Sequence, residues 1–405
     1  MTGTRSNADL LSAEFTQDPY TVYEEMRTDG AAHKVVVKTL TVELNAWVVT
    51  RYEEARRLLA DPRLSKDAGG LPAVVERNKA GTEPVALANF QSMLFSDPPD
   101  HTRLRRIMGR AFTMRRVQRM RPWIERATDE LLDRIVPGRE VDLVAALALP
   151  LPISVIGMLL GIPGEHHEDF RGWNATLTSV TADMGEKQGA ALAATAYLRK
   201  FIEDKRTAPG DDLVSALLEP TEGDAALSDD ELLSTIFLVM SAGYETTAGM
   251  LTNSVHALLT DTAQQERLRA EPGLIPAAVE EFLRFESPLN LATVRYTLDE
   301  VRLGPVTIPA GDIVFVSLAA ANRDTARFDR PDELDVERRN NSHLAFGHGI
   351  HHCLGAPLAR LEGEIALSKL LDRFPHWRHA GPPEALRWRN SLQFRTLERL
   401  PVILR

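Results

Sequence analysis

The chain has 405 residues, of which 44% are hydrophobic and 26% charged, and its net charge is −10. This composition is ordinary for a globular protein. The acidic balance argues against a protein that binds nucleic acid over its whole surface, so an acidic partner would need a local basic patch. Cys353 is the single cysteine, which excludes an intramolecular disulfide and a zinc site with two or more thiolates.

The first sixteen residues, Met1 to Thr16, are polar and acidic and have no basic segment followed by an apolar run. They do not resemble a signal peptide. No segment approaches the roughly eighteen uninterrupted apolar residues of a membrane span. We therefore expect a cytoplasmic protein outside the membrane. No internal repeat or long Gly/Ser linker interrupts the chain, so residues 1–405 are expected to form a single domain and a monomer.

Most of the chain shows the 3.6-residue apolar spacing of helices. Strand-like patterns occur at Ala46 to Thr50 and between Val301 and Val316, where glycines and prolines punctuate the apolar residues. Two segments, Lys66 to Gln91 and Ile162 to Gln188, are irregular or weakly periodic. Long loops in compact domains are usually functional or disordered, so both segments are candidates for mobile lids. The pattern predicts a mainly α protein with a small sheet.

One predicted helix is unusually long. It begins at a capping box formed by Ser228 and Glu231 and remains apolar through Leu259, about thirty residues or roughly 45 Å. Such a helix should run through the middle of the molecule, yet its centre, Ala242 to Thr247, contains a glycine, a carboxylate and two threonines. These residues are poor choices for a buried helix and indicate a functional site. The alternative is a helix kink in which Thr246 bonds to its own backbone.

The cysteine lies in a glycine-rich loop, Phe346 to Gly355, just before a predicted helix that starts near Ala356. The glycines allow unusual turns and close approach of another group. A helix N-terminus stabilises a thiolate. Two other interpretations remain open from the residues alone. Cys353 can be an inert core residue, or it can join nearby histidines in a mixed metal site, although no zinc spacing is matched. These histidines are His343, His348, His351 and His352.

The whole loop has the pattern F-G-x-G-x-H-x-C-x-G, which resembles the haem-binding loop of cytochromes P450. Further segments are similar to bacterial members of that family and follow in the family's order. They are Trp47 to Tyr52, Asp97 to Arg105, Ala242 to Thr247, Glu281 to Arg284, Asn322 to Asp324 and Pro331 to Arg338. The resemblance implies a cytochrome P450 fold, a triangular helical prism with small β-sheets, and haem b as cofactor.

The resemblance also implies roles for individual residues. Cys353 would be the axial ligand of the iron, whose thiolate favours O–O cleavage. Phe346 and Gly355 would pack near the haem and the sulfur. Four residues match positions that bind the haem propionates, namely His101, Arg105, Arg295 and His351. Glu245 and Thr246 would deliver protons to bound dioxygen. A buried ion pair of Glu281 and Arg284, joined by Arg338, would be architectural.

The expected substrate pocket has a mostly apolar lining, which suits a fairly large hydrophobic molecule. Its predicted residues are Leu238, Val239, Ala242, Leu289, Leu291, Ala292, Thr293 and Leu392. The sequence is most similar to actinobacterial enzymes that modify natural products. We therefore expect hydroxylation or epoxidation of a polyketide or macrolide, a terpenoid or a steroid.

The electrons for this reaction would come from a ferredoxin and its reductase. At about 100° per residue, Arg103, Arg106 and Arg110 form a stripe opposite His101 and Arg105. In an acidic protein this stripe is interpreted as the docking surface for an acidic ferredoxin. The alternatives are a solvated face and contact with nucleic acid, which neither composition nor motif supports.

Two other functions remain as alternatives. One is a peroxide-driven or oxidative-coupling cytochrome P450, against which the Glu245–Thr246 pair argues because peroxide users often replace these residues. The other is a haem-binding sensor without turnover, which no sequence feature favours.

Overall fold

The computed structural model describes residues 10–38, 43–80, 92–178, 182–219 and 226–405. Helices predominate within them, as the sequence predicts. The α-helices are α1 (Ala13–Gln17), α2 (Pro19–Asp29), α3 (Tyr52–Leu59), α4 (Leu71–Asn78), α5 (Asp100–Ala111), α6 (Met114–Leu132), α7 (Pro150–Leu160), α8 (His167–Thr178), α9 (Met184–Thr207), α10 (Leu213–Leu218), α11 (Asp229–Thr260), α12 (Thr262–Ala270), α13 (Ile275–Phe285), α14 (Leu318–Ala321) and α15 (Ala356–Arg373).

The strands are short and form small sheets. They are β1 (Ala32–Lys38), β2 (Glu43–Val49), β3 (Leu64–Ser65), β4 (Lys79–Ala80), β5 (Glu140–Asp142), β6 (Arg295–Thr297), β7 (Val301–Leu303), β8 (Val306–Ile308), β9 (Ile313–Val316), β10 (Trp377–His379) and β11 (Pro401–Leu404). The largest sheet has the order β1-β2-β9-β6-β3, with β4 also paired to β2. In it, β2 and β9 are parallel, and Trp47 lies opposite Val314. A second sheet has the order β10-β11-β5, and β7 and β8 form a hairpin.

Helix α11 is the central element of the fold. Its N-terminus is the predicted capping box, in which the Ser228 side chain accepts a hydrogen bond from the backbone N–H of Glu231 and the Glu231 side chain accepts from that of Ser228. The helix has 32 residues and packs against α7, α13 and α15. Its second half is almost wholly buried, whereas Ala242 near the middle is exposed. A small residue thus leaves one face of a central helix open.

The segments predicted to be irregular contain more helix than their sequences indicate. Helix α4 lies within Lys66 to Gln91, because Val74 and Val75 bury against the sheet. Helix α8 and the start of α9 lie within Ile162 to Gln188, where Phe170 packs edge-on against Tyr197. The prediction of irregular chain was wrong for these parts. The remaining parts, 81–91 and 179–181, lie outside the described residues, so the lid hypothesis is not tested there.

A buried ionic network holds α13 against the loop that follows α14. Both side-chain oxygens of Glu281 accept hydrogen bonds from Arg284, at 2.8 Å each, and both side chains are fully buried. Arg338 donates to the same carboxylate at 3.1 Å. The backbone N–H of Asp335 and the side-chain amide of Asn341 also donate to this carboxylate.

Among the helices of the described residues, none combines the length and the apolar character that a membrane span requires.

Candidate haem-thiolate site

The cysteine loop is shaped by two glycines in the left-handed region of backbone conformation. Gly347 has φ of 72° and Gly349 has φ of 76°. A Cβ atom on Gly349 would lie 2.8 Å from the carbonyl oxygen of Leu59, so a larger residue would collide with backbone. The loop closes with a hydrogen bond of 2.9 Å from the N–H of Cys353 to the carbonyl oxygen of Phe346. Cys353 is thereby placed three residues before α15.

The surroundings of Cys353 act on its thiol in opposite directions. Burial raises the pKa of Cys353, although the residue is open to solvent on one side, because dense protein around the sulfur disfavours the charged form. The N–H groups of Gly355 and Ala356 at the start of α15 and the guanidinium groups of Arg105 and Arg360 lower that pKa in part. These groups would stabilise a thiolate once its proton is displaced by a metal ion.

Arg360, Glu280 and His343 form a set of contacts next to Phe346 in the cysteine loop. The Arg360 guanidinium lies 4.5 Å from the centroid of the Phe346 ring. Glu280 on α13 accepts two hydrogen bonds from Arg360, at 2.6 and 2.8 Å, and one from His343 at 3.2 Å. Burial alone would raise the pKa of Glu280, yet these bonds lower it to about 2. Phe346 is therefore held by an ion pair that the sequence motif does not reveal.

Basic side chains gather at the edge of this region around one carboxylate, Asp97, whose charge raises the pKa of Lys66, His101 and Arg295 only in part. The His101 and His351 rings lie 4.3 Å apart. Both ring nitrogens of His101 and the Lys66 ammonium are buried without hydrogen-bond partners among the described residues. Burial first, then the nearby cations Lys66, His101 and Arg295, lower the pKa of His351 to about 2. Burial likewise lowers the pKa of Arg295 to about 10. Such a cluster of donors is satisfied by a group that brings carboxylates.

This donor cluster fits the propionates of haem b, and Cys353 fits its iron. Of the predicted propionate residues, His101, His351 and Arg295 lie together. Arg105 lies near both histidines, since its charge adds to burial in lowering the pKa of His101 and of His351, and it donates to the carbonyl oxygen of His352 at 2.6 Å. Lys66 was missed by sequence reasoning, because it lies in a segment with no periodic pattern and an isolated lysine usually faces solvent.

The predicted acid and alcohol of α11 lie on adjacent positions but do not bond to each other. Glu245 is 7% exposed, and its Oε1 atom accepts a hydrogen bond from Arg389 at 3.1 Å. The Thr246 hydroxyl donates to the carbonyl oxygen of Ala242 at 2.8 Å. This is the backbone bond of the kink alternative, and a hydroxyl that donates there can still accept a hydrogen bond from another group. The Arg389 partner, 144 residues away in sequence, carries no sequence signal.

The residues predicted for the substrate pocket fall into two sets. Leu238 and Val239 on α11, Leu289, Thr293 and Leu392 are partly exposed, and Ala242 is exposed. Leu291 is 1% exposed and packs in the core behind the large sheet, and Ala292 is also buried. The assignment of these two residues to the substrate pocket stays a prediction. Leu289 forms a β-bridge to Phe394, and Leu291 forms one to Ser317.

The arginine stripe on α5 is only partly a solvent-facing surface. Arg106 and Arg110 are exposed. Arg103 is 27% exposed and forms an ion pair with Glu231 at the start of α11. This pair links α5 to α11, and the role of the three arginines as a docking surface stays a prediction.

The mainly helical fold and a cysteine loop facing a donor cluster define a haem-thiolate protein. The family model described as "Cytochrome P450" matches residues 141–392. The chain belongs to the cytochrome P450 family. It is a monooxygenase, and its cofactor is haem b.

Known proteins resemble this chain over nearly all of its length. Cytochrome P450 107B1 of Saccharopolyspora erythraea is 46% identical over 402 residues, covering 97% of each chain. The mycinamicin IV hydroxylase/epoxidase of Micromonospora griseorubida is 42% identical over 362 residues, covering 88% of this chain and 89% of the relative. The tirandamycin C-bound structure of the P450 monooxygenase TamI is 45% identical, with a TM-score of 0.88, covering 97% of this chain and 99% of that chain.

Proposed function

We propose that this monooxygenase hydroxylates or epoxidises a fairly large hydrophobic molecule of the polyketide or macrolide class. One observation carries the site assignment. Cys353 lies just before α15, next to a cluster of cationic and imidazole donors in which the Lys66 ammonium and both ring nitrogens of His101 are buried without hydrogen-bond partners among the described residues. When bound there, haem supplies the activation of dioxygen, and a thiolate ligand favours O–O cleavage.

The protein residues have separate tasks in this proposal. The Cys353 sulfur holds the iron, and the N–H groups of Gly355 and Ala356 reduce the cost of its negative charge. His101, His351 and Arg295, together with Lys66, bind the propionates. The Thr246 hydroxyl accepts and passes a proton, and Glu245 supplies it through water. Residues 1–405 fold as one domain around this site.

The substrate class follows from the pocket and from the relatives. The partly exposed pocket residues, such as Leu238, Val239 and Leu392, are apolar. A relative is a hydroxylase/epoxidase of mycinamicin IV, and a solved relative binds tirandamycin C. Terpenoids and steroids suit the same apolar lining and belong in the same test.

Electrons reach the haem from a ferredoxin and its reductase. Arg106 and Arg110 are the exposed cations on α5, the helix that also carries His101 and Arg105. A cationic surface on an acidic protein attracts an acidic carrier and orients it. We place the enzyme in the cytoplasm, where its single thiol stays reduced.

The test is an optical titration of the purified, haem-loaded ferric protein against a panel of macrolides, other polyketides, steroids and terpenoids. A substrate that displaces water from the iron shifts the main haem absorption band toward the high-spin form. We expect a saturable shift with macrolides or other polyketides. A saturable shift with steroids or terpenoids alone would contradict the proposed class while leaving the haem site intact.

A control variant separates the haem assignment from the substrate assignment. Cys353→Ala removes the proposed iron ligand, and we expect it to lose the thiolate spectrum of the ferrous carbon monoxide adduct. If this variant kept the native spectrum, Cys353 would not be the ligand.

A further inference from the structure

Glu245 lies at the centre of a polar chain that crosses α11 and connects two distant parts of the protein. On one side, Asn174 of α8 donates a hydrogen bond from its side-chain amide to the Tyr244 hydroxyl at 3.0 Å. The Tyr244 hydroxyl donates to the Oε1 atom of Glu245 at 3.4 Å. On the other side, Arg389 donates to the same oxygen at 3.1 Å. The chain therefore runs from α8 through α11 to the C-terminal segment.

The chain is buried where it meets α11 and more open at its C-terminal end. Asn174, Tyr244 and Glu245 are each less than 9% exposed, whereas the Arg389 side chain is 31% exposed. Burial first, and then the charge of Glu245, raise the pKa of Tyr244, so its hydroxyl stays protonated and able to donate. Buried polar groups in such a chain strengthen one another, and the loss of one leaves its partners unsatisfied.

The chain holds only one of the two carboxylate oxygens of Glu245. The Oε2 atom is buried and has no hydrogen-bond partner among the described residues. A carboxylate oxygen without a partner can accept a hydrogen bond from water or from another group, and the direction of that bond depends on how the carboxylate is oriented. Tyr244 and Arg389 fix that orientation through Oε1. The Thr246 hydroxyl is engaged with the backbone of α11, so it does not hold the carboxylate.

We propose that Tyr244 and Arg389 are positioning residues that orient the Glu245 carboxylate and make its orientation depend on the position of α8. Asn174 carries this dependence, because it is the α8 residue bonded to Tyr244. Since Asn174 of α8 lines a cavity together with Ser241 and Tyr244 of α11, a substrate that shifts α8 would change how Glu245 delivers its proton. This inference rests on the proton-delivery role given to Glu245 under the proposed function.

The two anchors of the chain are themselves held by other contacts. Asn174 follows Phe170 and Trp173 on α8, and these two rings pack edge-on against each other. Phe170 also packs edge-on against Tyr197 of α9, and Trp173 packs against the same ring in a tilted orientation. Arg389 lies over the Phe394 ring at 5.6 Å, and its backbone N–H donates to Thr396 at 2.9 Å. Because both ends are packed, we expect a displacement of α8 to move the Glu245 carboxylate.

Hydrogen–deuterium exchange of the haem-loaded protein tests the coupling without turnover. The variants are Tyr244→Phe, Arg389→Gln and their combination, and exchange is followed in peptides that cover α8. Each single variant should speed exchange in α8 by about fivefold, the loss of one net hydrogen bond. The combination should add little to either, because both act through the same carboxylate. Arg389→Lys, which keeps a cationic donor, should restore slow exchange.

A matched control separates the effect of removing an arginine charge from the effect of breaking the hydrogen bonds that link Arg389, Glu245, Tyr244 and Asn174. Arg399→Gln removes another ion pair of 3.1 Å, with Asp142, from the same C-terminal segment. It should leave α8 unchanged. The proposal is overturned if Arg389→Gln affects only its own segment, or if the effects of the two single variants on α8 simply add.

A second measurement, the solvent isotope effect, tests the delivery of a proton by Glu245. The rate of dioxygen consumption, driven by a plant-type ferredoxin and its reductase, is compared in H2O and D2O. Arg389→Gln should change the ratio of the two rates by about twofold, and Arg389→Lys should return it to the wild-type value. An unchanged ratio in Arg389→Gln would remove the link to proton delivery. Coupling in the exchange experiment does not depend on turnover, so failure of the proposed function is recognised separately.

Discussion

Lys66 is a buried cation whose charge is costly without an anion. Its side chain is 3% exposed, and burial, followed by the neighbouring Arg295, lowers the pKa of Lys66 well below its usual range. Asp97 opposes this in part, and the ammonium group lies 5.7 Å from the centroid of the Phe95 ring. A haem carboxylate next to the ammonium group would favour the charged form. We therefore expect a haem carboxylate to add to the partial stabilisation that Asp97 gives the Lys66 charge.

Replacement of Lys66 by glutamine should weaken haem retention. The variant loses a charge-assisted hydrogen bond of about 1.5–3 kcal/mol, so haem should leave at least roughly tenfold faster. Transfer of haem to excess apomyoglobin at neutral pH measures this rate. Lys200→Gln, which removes an exposed lysine paired with Asp204, is the control and should leave the rate unchanged. Equal rates for wild type and Lys66→Gln would show that Lys66 does not contact the cofactor.

The two left-handed glycines of the cysteine loop should differ in their tolerance of alanine. Both replacements strain the backbone by about 1 kcal/mol. At Gly347 the nearest atom to a new Cβ is 3.9 Å away, whereas at Gly349 it is the Leu59 carbonyl at 2.8 Å. Gly349→Ala should therefore cost about 3 kcal/mol or more in the free energy of unfolding. Urea unfolding and haem content of both variants check this, and similar costs would mean that strain alone matters.

Among the elements of the fold, helix α13 carries an ion pair, Glu281–Arg284, of a kind that is common on helix surfaces but is buried here. An ion pair three residues apart on an exposed helix contributes only ~0.2–0.5 kcal/mol. Here Glu281 and Arg284 are fully buried, and Arg284 also donates to the carbonyl oxygens of Asn322, Pro331 and Glu333. The arginine thus ties α13 to the chain after α14, close to where the cysteine loop begins.

Arg338→Met should destabilise the protein by about 3–5 kcal/mol, because it leaves part of the buried Glu281 charge without compensation. Arg338 is 9% exposed at its side chain, so solvent cannot replace it. Arg267→Met breaks a surface pair with Glu337 and should cost no more than about 1 kcal/mol. Thermal and urea unfolding of the haem-loaded variants compare the two. Near-equal costs would show that Arg338 does not stabilise Glu281.

Elements with local signals could be predicted from the sequence, and elements that depend on distant partners could not. The capping box of α11 and the start of α15 at Ala356 are both where the residues place them. Helix α8 was missed because its aromatic residues pack against Tyr197 of α9 and do not form a regular apolar repeat of their own.

At the scale of the whole molecule, the site is assembled from segments that are far apart in sequence. Lys66 comes from the N-terminal third, Arg295 from β6 and His351 from the cysteine loop, and they meet only in the folded protein. Motif resemblance could assign the last two because they stand at recognisable positions. It could not assign Lys66 or Arg389, whose neighbours are set by tertiary structure alone.

In a protein with a net charge of −10, the proposed docking of an acidic electron carrier would depend on where the exposed cations lie. Arg106→Glu and Arg110→Glu should each slow reduction by ferredoxin on the order of tenfold at low ionic strength. The loss should shrink toward 0.15 M salt, where the screening length is about 8 Å. Arg103→Gln should act mainly by releasing Glu231, and so should lower stability more than the rate of reduction. Stopped-flow reduction at several salt concentrations measures these effects.

Arg302→Glu is the matched control for charge, because it makes the same change at an exposed arginine on β7. The attraction between the enzyme and an acidic carrier depends on the net charge of the enzyme and on where its cations lie. The Arg302 and Arg106 variants change the net charge equally and differ in where the change is made. If docking uses α5, the Arg302 variant should be reduced at nearly the wild-type rate, apart from the small uniform effect of two added negative charges. If both variants slow equally, net charge alone governs the encounter. The stripe on α5 would then be a solvated face, and the carrier would have to dock elsewhere on the molecule.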